Sequence, residues 1–436
     1  DEDQGIIGQM RACLNARGGE ISARNRAAKL AQTYLGLDDP GRRAFLQDLA
    51  SFDSDPAAVA RAYETIQSAE DDAQRATALV ALRRALDPPR VKLLTQFTTI
   101  PDGMKFLVDL RATLLDLKGS DPHLGALESD LRNLLASWFD VGFLELQRMD
   151  WNSPAVLLER LVGYEAVHEI RSWSDLKNRL DSDRRCYALF HHRMPNEPLI
   201  FVEVALVHGL SGSVQQLLDK RAPLLDPKQA DTAIFYSISN CQRGLAGISF
   251  GNFLIKRVVE LLSNEFRNLK QFATLSPMPG FRRWLDAKLD EGDARLLSDE
   301  EAASLRTAAP ADGPAPETGA QALASILARR NWFRDHAMLR AAEPVLIRLA
   351  ARYLLNESRG NRALDSVAHF HLSNGARIER IMALADTSQN GLKASASLMV
   401  NYLYDPARIE EYHEDYAGAG KRNASTAVRR LARGWS

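Results

Sequence analysis

Apolar positions recur at helical spacing through the first third of the chain, then give way to short, almost continuous apolar runs. From about Ile21 to Met149, the segments SARNRAAKLAQTYLGL, DPAAVARAYETIQSA, DDAQRATALVALRRALD and SDLRNLLASWFDVGFLELQRM carry the 3.6-residue period of amphipathic helices. In the third segment Ala78, Leu79, Leu82 and Leu86 form one stripe, predicted to face a neighbouring helix. Asp53, Ser54 and Asp55 ahead of Pro56 mark a helix start, because a first turn leaves unused the N–H that proline lacks. Asp87-Pro88-Pro89 and Asp121-Pro122 punctuate the region. No fixed-period repeat is found, so a helical bundle over 1–153 is preferred to a solenoid, with scaffolding and oligomer contact as its expected role.

After Trp151-Asn152-Ser153-Pro154 short β-rich runs alternate with helical stretches: CYALFHH, PLIFVEVALV, TAIFYSIS, QFATLSP and SVAHFHLSNGARIERIMALA. Leu199 to Val207 is nearly all apolar and β-branched, as in a strand covered on both faces. A helix at about 252–266 places Leu254, Val258, Leu261 and Leu262 along one side. Over 366–384 the alternation predicts a hairpin, with Val367, His369 and His371 on one face and its turn at Asn374-Gly375. Residues 307–320, rich in Pro, Ala and Gly, read as a connector. The expected class is α+β: an all-helical domain over 1–153, then a mixed α/β domain over 154–436.

Composition narrows the functional classes. Among 436 residues, 55 Lys and Arg stand against 56 Asp and Glu, a net charge of −1, so bulk nucleic-acid binding is not expected. An anionic ligand needs only a few placed cations and stays open. No apolar run reaches the length of a membrane span. The start, DEDQGIIGQMRACLNARGG, lacks a secretion signal's apolar core and is too acidic for a transit peptide, and LARGWS ends the chain without a peroxisomal tripeptide. Cys13, Cys186 and Cys241 show no CxxC spacing, which points to reduced thiols in a cytoplasmic setting and to no metal site.

Three places invite chemistry. Between an apolar strand and an amphipathic helix, SISNCQRGLAGISFG carries Gly244, Gly247 and Gly251, with Lys256 and Arg257 one turn further on. Strand, glycine loop and helix start make an anion site in principle, although neither GxGxxG nor a P-loop is present; the plainer reading is a tight turn. In TLSPMPGF, Ser276 ends a short strand and two prolines stiffen the loop after it, which holds a hydroxyl in place or simply starts a turn. His371 beside its turn suits proton transfer near neutral pH, while a packed structural histidine is the common alternative.

IFYSISNCQRGLAGISFGNFLIKRVV, FATLSPMPGFRRWL and VAHFHLSNGA, with RRCYALF, EPLIFVEVAL, EAVHEIRSWSDLKNRL and SLMVNYLY, resemble in order the signature blocks of the malonyl-CoA decarboxylase family. The resemblance spans about 150 to 405. It implies a C-terminal domain like the GCN5-related acetyltransferases, a helical N-terminal domain used in tetramer assembly, and no cofactor beyond the coenzyme A of the substrate. Carried onto matching positions, it makes Ser276 and His371 the catalytic pair; for the loss of carbon dioxide, Ser276 is expected to orient the malonyl carboxylate and His371 to protonate the enolate. Ser237, Tyr404 and Asn374 are then the expected substrate-binding residues. Arg243, Gly244, Gly247, Ser249, Gly251 and Lys256 are assigned to coenzyme A. The alternatives are an acyl-CoA N-acyltransferase on the same fold and a non-catalytic coenzyme A-binding scaffold.

Overall fold

The computed structural model describes residues 5–15, 19–293 and 295–433, with nothing stated for the side chains of 251–253. The chain forms two compact units. The first comprises Asp1–Glu145, Leu189–Ile200 and Asn240–Phe250, and the second Leu146–Ala188, Phe201–Ser239 and Gly251–Ser436.

Helices dominate the first unit, as the periodicity predicts. Asp55 accepts the Ala57 N–H and Pro56 occupies the first turn of the helix Pro56–Gln67. Asp121 likewise caps Pro122–Trp138. The core is aromatic and aliphatic, with Tyr34 against Phe45 and Phe97 against Phe106, each at 4.9 Å between ring centres. The stripe on Asp72–Leu86 behaves differently from expectation: Ala78 is buried, whereas Leu79, Val80 and Leu86 are exposed. This helix and Pro56–Gln67 pack mainly on each other, and two helices can cover only one strip of each.

A seven-stranded sheet follows, built of β1 (Leu144–Met149), β2 (Arg184–His191), β3 (Ile200–Val207), β4 (Thr232–Asn240), β5 (Gln271–Thr274), β6 (Arg377–Met382) and β7 (Met399–Leu403), in spatial order β1-β2-β3-β4-β5-β7-β6. Every residue of β2 is buried and all of β3 but its last, the sign of a sheet covered on both faces. The helical region followed by a mixed sheet-and-helix region is the α+β class expected.

Strands β4 and β5 are parallel, with Phe235 beside Thr274, and β5 runs antiparallel to β7. The Leu275 N–H still reaches the Phe235 carbonyl, but at Ser276 the hydrogen bonds turn away from β4 to Val400 of β7. Thr274, Ser276, Phe235 and Ser237 share one face by alternation, and Ser237 lies on β4 just past the point where its neighbour leaves it.

Two expectations from local pattern fail: Leu144–Met149, read as the end of a helical segment, is instead the strand β1 beside β2, and the hairpin over 366–384 does not form. Residues 366–373 form a helix, Ser366–Ser373, not a strand, and Asn374-Gly375 closes that helix rather than a hairpin. Asp365 accepts the Val367 and Ala368 N–H groups and so nucleates the helix. Gly375 has φ +82°, and a left-handed glycine ends a helix as readily as it builds a hairpin turn. The strand β6 begins only at Arg377.

Candidate active site

Two backbone hydrogen bonds of 2.9 Å to Val400 clamp Ser276 where β5 ends and the turn into the helix Phe281–Glu291 begins. Its hydroxyl donates to Thr274 Oγ1 at 2.7 Å and lies 3.0 Å from His371 Nε2. The imidazole stands on the last turn of Ser366–Ser373, with the Tyr404 hydroxyl 2.7 Å from Nδ1. Tyr402 stacks on the ring at 4.6 Å between centres and 23° between planes. Tyr404 itself follows β7 directly, its N–H bonded to the Phe272 carbonyl. Residues 95 positions apart thus meet because the strand-end bridge and the capped helix converge on one point.

The site is dry. Ser276 is 5% exposed and His371 2%. Burial alone drives the imidazole pKa down to about 3, so the ring is neutral at pH 7. That corrects the expectation that its ordinary value near neutrality applies. Tyr404 is pushed well above the usual phenol range by the same burial and stays protonated. Among the described residues no carboxylate stands on Nδ1, the position that an acid fills in a Ser-His-Asp triad to stabilise an imidazolium. The arrangement therefore suits hydrogen bonding and proton delivery by a neutral ring better than nucleophilic attack by serine.

The remaining expected residues fall in several settings. Ser237 is buried and donates to both Glu165 oxygens at 2.9 Å, and Glu165 also accepts the Val167 and His168 N–H groups. Asn374 caps the His371 helix through its amide N–H to the Phe370 carbonyl, while its Oδ1 is buried with no partner among the described residues. Gly244 packs so closely on the Val108 carbonyl that a Cβ would overlap it, and its own carbonyl accepts from buried Arg111 at 2.6 Å. Arg243 is exposed and paired with Asp116 at 2.7 Å. Gly247, with φ +77°, and Ser249 are both exposed. Gly251 opens the helix Gly251–Glu265, but its immediate surroundings lie outside the described residues. Lys256 pairs with Glu410. Elsewhere His191 is a packed structural histidine, bonded to the Trp138 carbonyl and stacked on His192.

Sequence reading missed Thr274 and Glu165. A hydroxyl two residues before Ser276 at a strand end shares its face, and that spacing was the available signal. Glu165 gave none, because it meets Ser237 across 72 positions.

Residues 142–435 match the malonyl-CoA decarboxylase C-terminal domain family, and residues 52–139 the malonyl-CoA decarboxylase N-terminal domain family. The chain belongs to the malonyl-CoA decarboxylase family. Its similarity to named members runs nearly end to end. It is 36% identical over 424 residues to the mitochondrial malonyl-CoA decarboxylase of Anser anser anser, covering 93% of this chain and 83% of that one. The mitochondrial enzyme of Mus musculus is 35% identical, with coverage of 93% and 85%. Among solved structures, malonyl-CoA decarboxylase from Rhodopseudomonas palustris superposes with TM-score 0.87 at 41% identity, covering 98% of each chain. The Agrobacterium vitis protein gives 0.88 at 39%, covering 98% of this chain and 99% of its own. The family assignment thus agrees with the blocks that carry Ser276, His371 and Tyr404.

Proposed function

We propose that this protein decarboxylates malonyl-CoA to acetyl-CoA and carbon dioxide, with Ser276 and His371 as its catalytic residues and no metal or organic cofactor. The buried 3.0 Å contact between Ser276 and His371, backed by Tyr404 instead of a carboxylate, carries the reading. Loss of carbon dioxide breaks a C–C bond and sends its electron pair into the thioester as an enolate. As substrate binds, the Ser276 hydroxyl turns from Thr274 to the malonyl carboxylate and holds it out of the carbonyl plane, so that the breaking bond overlaps the π system. The ring then gives its Nε2 proton to the carbon left behind, while the Tyr404 hydroxyl, 2.7 Å from Nδ1, keeps its proton and donates a hydrogen bond to the ring, so no imidazolium is required. Water returns the proton to Nε2 once the products leave. The burial of the pair favours the spread-out enolate over the localised carboxylate.

Ser237, Tyr404 and Asn374 are proposed to line the acyl group; the buried Asn374 Oδ1, without a partner among the described residues, supports this. The backbone at exposed Gly247 and Ser249 is proposed to meet coenzyme A. Exposed Tyr63, Leu79, Val80 and Leu86 support a homo-oligomer, with a tetramer as the proposed state. The three buried cysteine thiols support a reducing, cytoplasm-like compartment.

Incubation with malonyl-CoA is expected to yield acetyl-CoA and carbon dioxide in equal amounts. Ser276→Ala and His371→Ala should each lower kcat at least about a hundredfold while coenzyme A still binds. Free thiol release that depends on an added amine, without carbon dioxide, would instead establish an acyltransferase.

A further inference from the structure

The neutral ring can carry its proton on either nitrogen, and only one choice is useful for the proposed reaction. The direction is readable from both ends of a buried chain. At one end, the Ser276 hydroxyl donates to Thr274 Oγ1 at 2.7 Å, so its oxygen is left to accept from His371 Nε2. At the other end, Tyr404 is fully enclosed and remains protonated. Among the described contacts its hydroxyl has His371 Nδ1 alone, and a buried phenol O–H left without an acceptor is costly.

We infer that Thr274 is a positioning residue: as the terminal acceptor of a one-way chain from Tyr404 through His371 and Ser276, it fixes the imidazole as the Nε2–H tautomer. Both lone pairs of Thr274 Oγ1 are filled, one by the Ser276 hydroxyl and one by the Tyr402 N–H at 3.1 Å. The threonine is fixed in turn, since its carbonyl accepts from the buried Asn401 amide at 2.7 Å and it is itself 0% exposed. The strand β7 therefore holds this acceptor in place twice, through Tyr402 and Asn401, and Tyr404 lies just beyond it. With the chain reversed, the ring would present a lone pair where the proposed reaction requires a proton.

This inference rests on the decarboxylase reading for its purpose, but its test does not. Histidine-labelled protein is observed by long-range 1H–15N NMR at pH 7, with the His371 signals identified by their absence from His371→Gln. The Nε2–H pattern is expected in the wild type. Thr274→Val, which keeps the shape and removes the acceptor, should show loss of that single pattern and a fall in kcat of about tenfold with KM nearly unchanged. Thr274→Ser should restore both. An Nδ1–H or doubly protonated ring in the wild type would overturn the inference, even if acetyl-CoA forms normally. So would wild-type kcat in a folded Thr274→Val. Should that variant not fold, the wild-type spectrum and a Thr274→Ser with the wild-type pattern and rate decide in favour, and a Thr274→Ser that loses the pattern decides against. An Nε2–H ring in protein that forms no carbon dioxide would instead overturn the decarboxylase reading and leave the tautomer standing.

Discussion

Burial of a neutral imidazole has a thermodynamic consequence that can be isolated. His371 titrates at about 3 in the folded chain against an ordinary 6.5, because a charged ring has no water or carboxylate to meet it. The folded value is the lower one, so as pH falls through 6.5 the unfolded chain takes up a proton that the folded chain refuses. Stability from this group is complete above pH 6.5 and declines steadily until pH 3, below which both states are charged. Between pH 7.5 and pH 5.0 the loss amounts to about 2 kcal/mol, one and a half pH units at about 1.4 kcal/mol each. The perturbation is His371→Gln, which removes the titration and leaves every other ionisable group in place. Urea unfolding of both proteins at pH 7.5 and pH 5.0 gives a difference of differences in which the remaining carboxylates cancel. The variant is expected to lose about 2 kcal/mol less than the wild type on acidification. Equal losses would mean that the ring is hydrated or already charged in the folded protein, and the neutral-donor reasoning would fall with it.

Other contacts lead to further outcomes. The pH profile of kcat/KM should show no limb near 6.5 from His371, since the ring is already neutral well below that pH; a histidine limb there that disappears in a partially active His371 variant would contradict this. Gly375→Ala should cost at least about 2 kcal/mol, because φ is +82° and the new Cβ would overlap the Ile409 carbonyl; an unchanged Tm would show that this helix end is not held as described. Arg111→Met leaves Glu128 with Lys118 at 3.2 Å as its remaining cation and frees the Gly244 and Ala246 carbonyls. A loss of about 3 kcal/mol is expected in urea unfolding, and a loss below about 1 kcal/mol would indicate that the pair is solvated.

The first-third helices were legible because their signals are local: Asp55-Pro56 and Asp121-Pro122 cap helices through neighbours two or three residues away. The apolar runs of β2 and β3 were legible for the same reason, since a strand covered on both faces needs no polar alternation. Ser276 and His371 stood out through the letters around them. Local pattern misled at 366–373, where Val367, His369 and His371 alternate like a strand yet fold as a helix. There Asp365 supplies the cap, and the Asn374-Gly375 signal serves a helix end and a hairpin equally well. The stripe at Leu79 and Leu86 was read correctly as helical but not as exposed, because periodicity describes a face and says nothing of what covers it. What the folded chain alone decided is the chemistry of the pair. A pKa near 3, a tyrosine rather than a carboxylate on Nδ1, and a threonine that directs the serine hydroxyl all depend on burial and on contacts between β5, β7 and one short helix. Desolvation and hydrogen-bond direction are properties of surroundings, and residues 95 apart in the chain have no shared surroundings until it folds.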